Sequence, residues 1–407
     1  GSTPESEGVK GDHFVGEWYV RFSQEAEKDP GLEEEAYEML RQWEQGDPET
    51  IELWRKMNGW VYDGFDQTYQ DFGLEFDTFM YESEIYTLGK DIVEQGKKNG
   101  VFYEDEKGNT VFELPPEKFG KEKNGEIRKI TVLRPDGTSL YVTQDIATAV
   151  LKMENYDLTS SIYVVASEQD HHFASLFEIL RQLGYSWADE CYHLSFGMVY
   201  LPHGKMKSRE GTVVDADDLI KEVTDLAQKE IASREENDLS EEEIRNRAFK
   251  IAVGAVKFYL LSVNPKQDIN FDPAASISFE GVTGPYCQYA YARIMSILRK
   301  AEERIGEIKA EKVDFGLLGN EEELILIQKL LNFSAEIQTA VEEMNPSRIS
   351  NYVYNLAKSF HQFYNKHKVI DKERIELSRA RLALTMAIGV TIKNSLHLLN
   401  IEVLEKM

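Results

Sequence analysis

The chain has 407 residues, 42% hydrophobic and 29% charged, with a formal net charge of −26 at pH 7, the profile of an ordinary globular protein of two or three domains. No run approaches the ~18 uninterrupted apolar residues of a membrane span and no signal-peptide pattern opens it, so a cytoplasmic protein with no membrane partner is expected. The two cysteines, Cys191 and Cys287, lie far apart and outside any CxxC spacing, which argues against a disulfide framework and against zinc.

The charge is uneven. Residues 1–100 carry 24 acids and 9 bases, a net of −15, whereas residues 276–407 carry 17 of each. A polyanion would be repelled by the first part and could approach the last; a helical bundle with solvated charged faces fits the same count. The opening Gly1-Ser2 reads as an expression remnant, so the natural N-terminus is expected elsewhere.

In chain order, residues 31–62 and 67–100 predict acidic amphipathic helices, with Leu40, Trp43, Leu53, Trp54, Met57 and Trp60 at roughly helical spacing and the tryptophans assigned to the core. Around 101–142 the period changes to that of strands. "KITVLRPDGTSLYVT" holds two β-rich runs joined by the turn Pro135-Asp136-Gly137, which places Tyr141 at a strand end. "SSIYVVAS" at 160–167 has the continuous apolar run of a parallel strand buried on both faces. A helical pattern at 171–183 and a further strand in "CYHLSFGMVYL" complete an α/β crossover. Asp215 or Asp217 is placed to cap a helix running toward 235, and Ser240 with Glu243 has capping-box spacing. Beyond 239 the chain reads as helices, with 285–308, 320–345, 347–367 and 371–399 forming an antiparallel bundle.

Four constellations carry chemistry. "GKMKSREGTVV", 204–214, brackets Lys205, Lys207, Ser208 and Arg209 with glycines. Glycines let backbone approach an anion and the cations supply charge for phosphate oxygens; the spacing is not the GxxxxGK(S/T) of a P-loop. Such a loop suits a leaving pyrophosphate, or is simply solvated. In "YVTQDIATA", Asp145 lies four residues past Tyr141 and can accept a guanidinium or an ammonium, or cap a helix. "SEQDHHF", 167–173, follows the apolar strand, at the carboxyl end where open α/β sheets bind ligands. There Gln169 can read donor groups, and His171 or His172 can meet a nucleotide; no third ligand at a matching spacing supports a metal. In "FEGVTGPYCQYAYARI", Tyr286, Tyr289 and Arg293 share one helical stripe beside Gln288 and Tyr291. They suit stacking on unpaired bases, or a bundle core.

The ordered run "TSLYVTQDIATAV", "VVASEQDHHF", "FGMV", "GKMKSREGTVV", "FEGVTGPYCQYAYARI" and "LLNIEVLEKM" resembles the arginyl-tRNA synthetases, a class I aminoacyl-tRNA synthetase family, from "GDHFVGEWYV" onward. The resemblance implies a partial Rossmann-type nucleotide-binding fold (α/β) followed by an all-helical anticodon-binding domain. Residues 1–190 would be the partial catalytic domain with an acidic helical insertion, 191–275 a connecting region with the loop, and 276–407 the anticodon-binding domain. The loop would be the KMSKS counterpart, with Ser208 at the second lysine position, so that Lys205, Lys207 and Arg209 share its role. Tyr141, Asp145 and Gln169 would hold the arginine side chain, Met198 would lie beside adenine, and Tyr286, Gln288, Tyr289 and Arg293 would be candidates to contact tRNA. The implied partners are arginine and tRNA(Arg), not DNA; the implied cofactor is ATP, with Mg²⁺ arriving on it and no metal site on the protein.

One element of the family pattern is missing. None of the eight histidines, at 13, 171, 172, 193, 203, 361, 367 and 397, falls in an HxGH motif, so the chain is expected to be a fragment lacking the HIGH segment and an N-terminal domain. Little or no arginyl-adenylate is expected from it alone, and ATP–pyrophosphate exchange with arginine and tRNA present measures this. A non-catalytic, synthetase-like tRNA-binding module is the alternative. A cysteine-specific class I enzyme is disfavoured by the cysteine count, and a ligand-free helical scaffold would show no salt-dependent tRNA binding.

Overall fold

Four helices open the chain: α1 (Pro4–Glu7), α2 (Gly11–Ala26), α3 (Gly31–Glu44) and α4 (Pro48–Asp71). The computed structural model describes residues 2–200, 215–232, 240–305 and 313–407. It divides into two units: Gly1–Glu75 with Val199–Asn264 and Ile269–Met407, and Phe76–Met198 with Pro265–Asp268. Between α2 and α4 packing is close. The Phe14 and Trp60 rings meet edge-on at 5.6 Å, and a Cβ on Gly11 would lie 2.0 Å from the Trp60 carbonyl oxygen. The core assignment of the tryptophans holds only in part. Trp43, Trp54 and Trp60 are half-buried, with Trp43 and Trp54 5.5 Å apart, whereas Leu40, Leu53 and Met57 are exposed and α3 buries no residue. A helix packed along one narrow contact leaves its remaining apolar positions in solvent.

The second unit contains α5 (Glu82–Lys98) and an antiparallel sheet of β1 (Tyr103–Glu104), β2 (Thr110–Glu113) and β3 (Lys129–Leu133), with the short α6 (Pro116–Phe119) between β2 and β3. After β3 the turn forms as expected: Gly137 takes φ 78° and its N–H donates to the Arg134 carbonyl, a conformation glycine adopts without strain. The second β-rich run does not become a strand. It makes one bridge, Leu133 with Ser139, and then enters α7 (Tyr141–Asn155). Val142, Ile146, Ala149 and Val150 recur at helical spacing and are all buried, and that burial outweighs the local β preference. The Thr143 hydroxyl donates to the Val132 carbonyl, fastening α7 to β3.

Next come β4 (Ser161–Ala166), a 3₁₀ turn (Ser167–Gln169), α8 (Asp170–Gln182) and β5 (Cys191–Phe196). β4 and β5 are parallel and in register from Ser161–Cys191 to Ala166–Phe196, which is the crossover the sequence predicts. β4 is not buried on both faces: Ile162 is 49% and Val164 63% exposed. Among the described residues its one partner is β5, and only the face toward α7 and α8 is covered.

The first unit then resumes with β6 (Val199–Tyr200), α9 (Ala216–Ala232) and α10 (Glu241–Leu261), which starts with the Ser240–Glu243 capping box. β7 (Ile269–Asn270) pairs in parallel with β6, and α11 (Pro273–Ser276) follows. Asp215 precedes α9, and its carbonyl accepts from the Leu219 N–H. The remaining helices are α12 (Gly284–Ile305), α13 (Glu321–Glu342), α14 (Ser347–Lys366) and α15 (Ile375–Leu398). They share a core that includes Cys287, Ile294, Phe360, Phe363, Ile388 and Ile392. A buried ion pair crosses it. Arg381 Nε lies 2.8 Å from Glu323 Oε1, with side chains 8% and 0% exposed, and Arg381 Nη1 donates to the Lys368 carbonyl.

Candidate functional site

The second unit places Tyr141, Asp145, Gln169 and His172 on elements that meet at the carboxyl end of β4. Tyr141 opens α7 and is 75% exposed; Asp145 follows one turn later on the same helix face. Gln169 ends the 3₁₀ turn after β4 and is exposed. His172, in the first turn of α8, donates through Nε2 to Asp145 Oδ2 at 2.6 Å. This bond ties α7 to α8 and occupies the histidine that the sequence offered to a nucleotide. His171 points elsewhere: its ring is edge-on to Phe119 at 6.1 Å and its Nδ1 is 3.5 Å from Ser175 Oγ. Neither histidine shares a ligand group with a third metal-binding side chain among the described residues.

Beneath Asp145, α7 carries Lys152, whose ammonium lies 3.8 Å from the Tyr163 ring centroid and donates to Ser161 Oγ. Burial pushes the Lys152 ammonium down and the Tyr163 phenol up.

Met198 lies just past β5, where the chain is clamped to the 265–268 segment. Its N–H donates to Asp268 Oδ1 at 2.8 Å, and the Gly197 N–H donates to the Pro265 carbonyl at 2.7 Å. A Cβ on Gly197 would sit 2.3 Å from the Gln267 carbonyl oxygen, the physical reason for glycine in "FGMV". Lys205, Lys207, Ser208 and Arg209 lie outside the described residues.

In the helical region a groove of about 980 Å³ runs along α12 and the end of α14, lined by Tyr289, Arg293, Lys300, Tyr364 and Lys368 among others. Arg293 Nη2 donates to Tyr289 Oη at 2.6 Å, and its guanidinium lies 4.6 Å from the Tyr289 and 5.5 Å from the Tyr364 ring centroid. Behind this shelf, His361 Nδ1 is 2.9 Å from Tyr286 Oη; burial, then the Arg293 charge, pushes the imidazole down to about 4. Lys300 and Lys368 have no ion pair among the described residues. One predicted contact residue is misplaced. Gln288 is fully buried and lies over Gly254, donating to the Glu402 carbonyl at 2.8 Å; it is an internal strut that no RNA can touch. Tyr291 is likewise buried.

The family model "tRNA synthetases class I (R), catalytic domain" matches residues 12–273, and the model "DALR anticodon binding domain" matches 287–407. The arginine–tRNA ligase of Treponema denticola is 45% identical over 414 residues, covering 100% of this chain and 68% of that protein. The chain belongs to the arginine–tRNA ligase family. A second arginine–tRNA ligase, from Phocaeicola vulgatus, is 42% identical over 433 residues, with 100% of this chain and 70% of that protein covered. Among solved structures, the Thermus thermophilus arginyl-tRNA synthetase matches with TM-score 0.81 and 28% identity over 98% of this chain and 70% of that one. The Plasmodium falciparum enzyme shares the fold at TM-score 0.77 and 21% identity, and the chain spans 62% of its length. Family membership makes the chain a class I aminoacyl-tRNA synthetase sequence whose chemistry uses ATP, with a C-terminal helical anticodon-binding domain. No helix among the described residues is long and apolar enough to cross a membrane.

Two features of this ligase have no local signature. Asp217, in the first turn of α9, accepts from Lys10 Nζ at 2.5 Å, His13 Nε2 at 2.9 Å and Thr68 Oγ1 at 3.0 Å. Burial alone would push its carboxyl up, but Lys10 and Thr68 hold it below the usual range. Asp12, His13 and Asp217 have metal-ligand spacing, yet the Lys10 ammonium already donates to both carboxylates and supplies the positive charge there. The second is the Arg381–Glu323 pair.

Proposed function

We propose that the carboxyl end of β4 holds the arginine side chain, with Asp145 as the partner of its guanidinium and Tyr141 and Gln169 beside it. The observation that carries this is Asp145 itself: a part-exposed carboxylate, one turn from Tyr141 on α7, whose Oδ2 is held by His172. On this reading the arginine carboxylate attacks the α-phosphate of ATP in line, giving arginyl-adenylate and pyrophosphate, and a hydroxyl of the 3′-terminal ribose of tRNA(Arg) then takes the arginyl group as an ester, releasing AMP. Positioning and charge stabilisation supply most of the catalysis. Met198 would lie beside adenine; Lys205, Lys207 and Arg209, with Ser208 among them, would stabilise the leaving pyrophosphate, and Mg²⁺ would arrive with ATP. Tyr286, Tyr289 and Arg293, at the 980 Å³ groove or behind it, would receive unpaired bases of tRNA(Arg), because stacked aromatic and guanidinium surfaces beside Lys300 and Lys368, which have no ion pair among the described residues, suit bases and phosphates together. The functional division proposed is 1–190, 191–275 and 276–407, and the setting is the cytoplasm.

The direct test is arginine binding by the unaltered chain and by Asp145→Asn. Loss of a charge-assisted bidentate pair is expected to weaken binding at least ~10-fold; equal affinities would refute the assignment.

A further inference from the structure

The bond between His172 and Asp145 joins two side chains that sequence reasoning assigned to different substrates. Asp145 Oδ2 takes the His172 Nε2–H at 2.6 Å, while Oδ1 has no hydrogen-bond partner among the described residues. The histidine ring is in turn held in place. It stands edge-on to Phe173 at 5.3 Å and 88°, and Phe173, itself buried, packs on the His193 ring at 4.5 Å. His193 donates through Nε2 to the Val165 carbonyl at 2.9 Å, and its Nδ1 faces Asp170 at 3.4 Å. A chain of fixed rings thus runs from the β4–β5 pair to one oxygen of Asp145.

An aspartate carboxylate turns easily about its last torsion, whose energy wells are broad. A bond to one oxygen from an immobilised ring stops that rotation and sets the plane of the group. The plane matters for one class of ligand only. A guanidinium is a flat fork that bonds a carboxylate through two parallel N–H groups when the two planes coincide; an ammonium is a point charge with rotatable donors and is indifferent to the plane.

We propose that His172 is a positioning residue that fixes the Asp145 carboxylate plane and so makes the site select a guanidinium over an ammonium. This rests on the reading of Asp145 as the guanidinium partner. His172 acts through Asp145 and touches no reacting atom.

Equilibrium dialysis with labelled arginine, and with lysine as competitor, tests it on the unaltered chain and on His172→Phe, His172→Gln and Asp145→Asn. His172→Phe keeps a ring of similar size and removes the N–H. It should weaken arginine roughly 10-fold, the scale of one charge-assisted hydrogen bond, and lysine much less, so that the arginine-to-lysine ratio falls. His172→Gln, whose amide nitrogen can reach the place of Nε2, should restore most of that ratio. Unfolding midpoints of the variants separate this from general damage, which would lower both ligands alike. Unchanged arginine affinity in His172→Phe, or parallel losses for arginine and lysine, overturns the proposal. Should the unaltered chain fail to bind arginine, or Asp145→Asn bind it equally well, the guanidinium reading itself falls and takes the inference with it. Loss of arginine binding in Asp145→Asn alongside an unaltered ratio in His172→Phe sinks the role of His172 alone.

Discussion

Replacing Arg381 by methionine removes the cation from a carboxylate that no water reaches. Glu323 is 0% exposed, and its Oε1 accepts from Arg381 Nε at 2.8 Å. Its other oxygen takes the Gly319 and Asn320 N–H groups, both at 2.9 Å. The second bond from Arg381, to the Lys368 carbonyl at 2.8 Å, would also be lost. Removing one partner of a buried pair costs about 3–5 kcal/mol, because the remaining charge is left uncompensated. Adding Glu323→Gln, which keeps a side chain able to cap Asn320 but discards the charge, should recover at least half of that. The pH dependence has a fixed sign. Burial would raise the Glu323 carboxyl, but the Asn320 N–H and Arg381 together hold it below the usual range. Its stabilising contribution is therefore full above the unfolded carboxyl value, ~4.3, and is lost as pH falls through the lower folded value. The gap between the unaltered chain and Arg381→Met should be widest at neutral pH and shrink below about pH 4. Urea unfolding followed by far-ultraviolet circular dichroism measures it. Because Lys368 lines the groove, tRNA affinity should fall in the single variant as well. A single-variant loss below ~1 kcal/mol, or a double variant as unstable as the single, would refute the argument.

Arg293→Ala should weaken tRNA binding and reduce the slope of log affinity against log salt by about one if the guanidinium meets a phosphate; competition titrations between 50 and 200 mM salt read this. Gln288→Leu should cost roughly 1–3 kcal/mol by orphaning the Glu402 carbonyl, seen in denaturant unfolding, while the salt slope stays unchanged. Gly64→Ala should destabilise by about 1–3 kcal/mol, since its Cβ would sit 2.2 Å from Asp12 Oδ1 and 2.8 Å from the Asp12 backbone nitrogen; a thermal melt checks it. Asp217→Asn should lower stability evenly between pH 5 and 8, with the difference narrowing below about pH 4 as the unaltered carboxyl, held low in the folded state, protonates; melts across pH test the sign.

Signals confined to a few neighbouring residues are legible in the sequence itself. The Ser240–Glu243 box, the Gly137 turn, the β4–α8–β5 crossover and the four C-terminal helices are written in local patterns, and they stand where the patterns put them. What failed was two-sided burial and anything requiring distant partners. Ile162 and Val164 are as apolar as buried strand residues, and their exposure follows from what covers the sheet. "SLYVT" alternates like a strand while its continuation repeats like a helix, and packing of Val142 and Ile146 settled the matter. Lys10 meets Asp217 across 207 positions and Arg381 meets Glu323 across 58, separations at which one sequence carries no pairing signal. Gln288 stands beside the Tyr286, Tyr289 and Arg293 stripe, and the backbone carbonyl it satisfies lies 114 positions away, beyond any local signal.

The switch from strand to helix at Tyr141 changes what "YVTQD" can grasp. Four residues along an extended strand are about 13 Å apart, too far for Tyr141 and Asp145 to meet one small ion. On a helix the same spacing brings their Cβ atoms to about 5–6 Å, within the span of a single planar cation. Both side chains then ride on one rigid cylinder, so a tilt of α7 moves them as a pair and preserves the gap between them. The gap between two neighbours on one helix needs no long-range register; it needs only that the helix start at the right residue, and His172 on α8 then has only the carboxylate plane of Asp145 left to set.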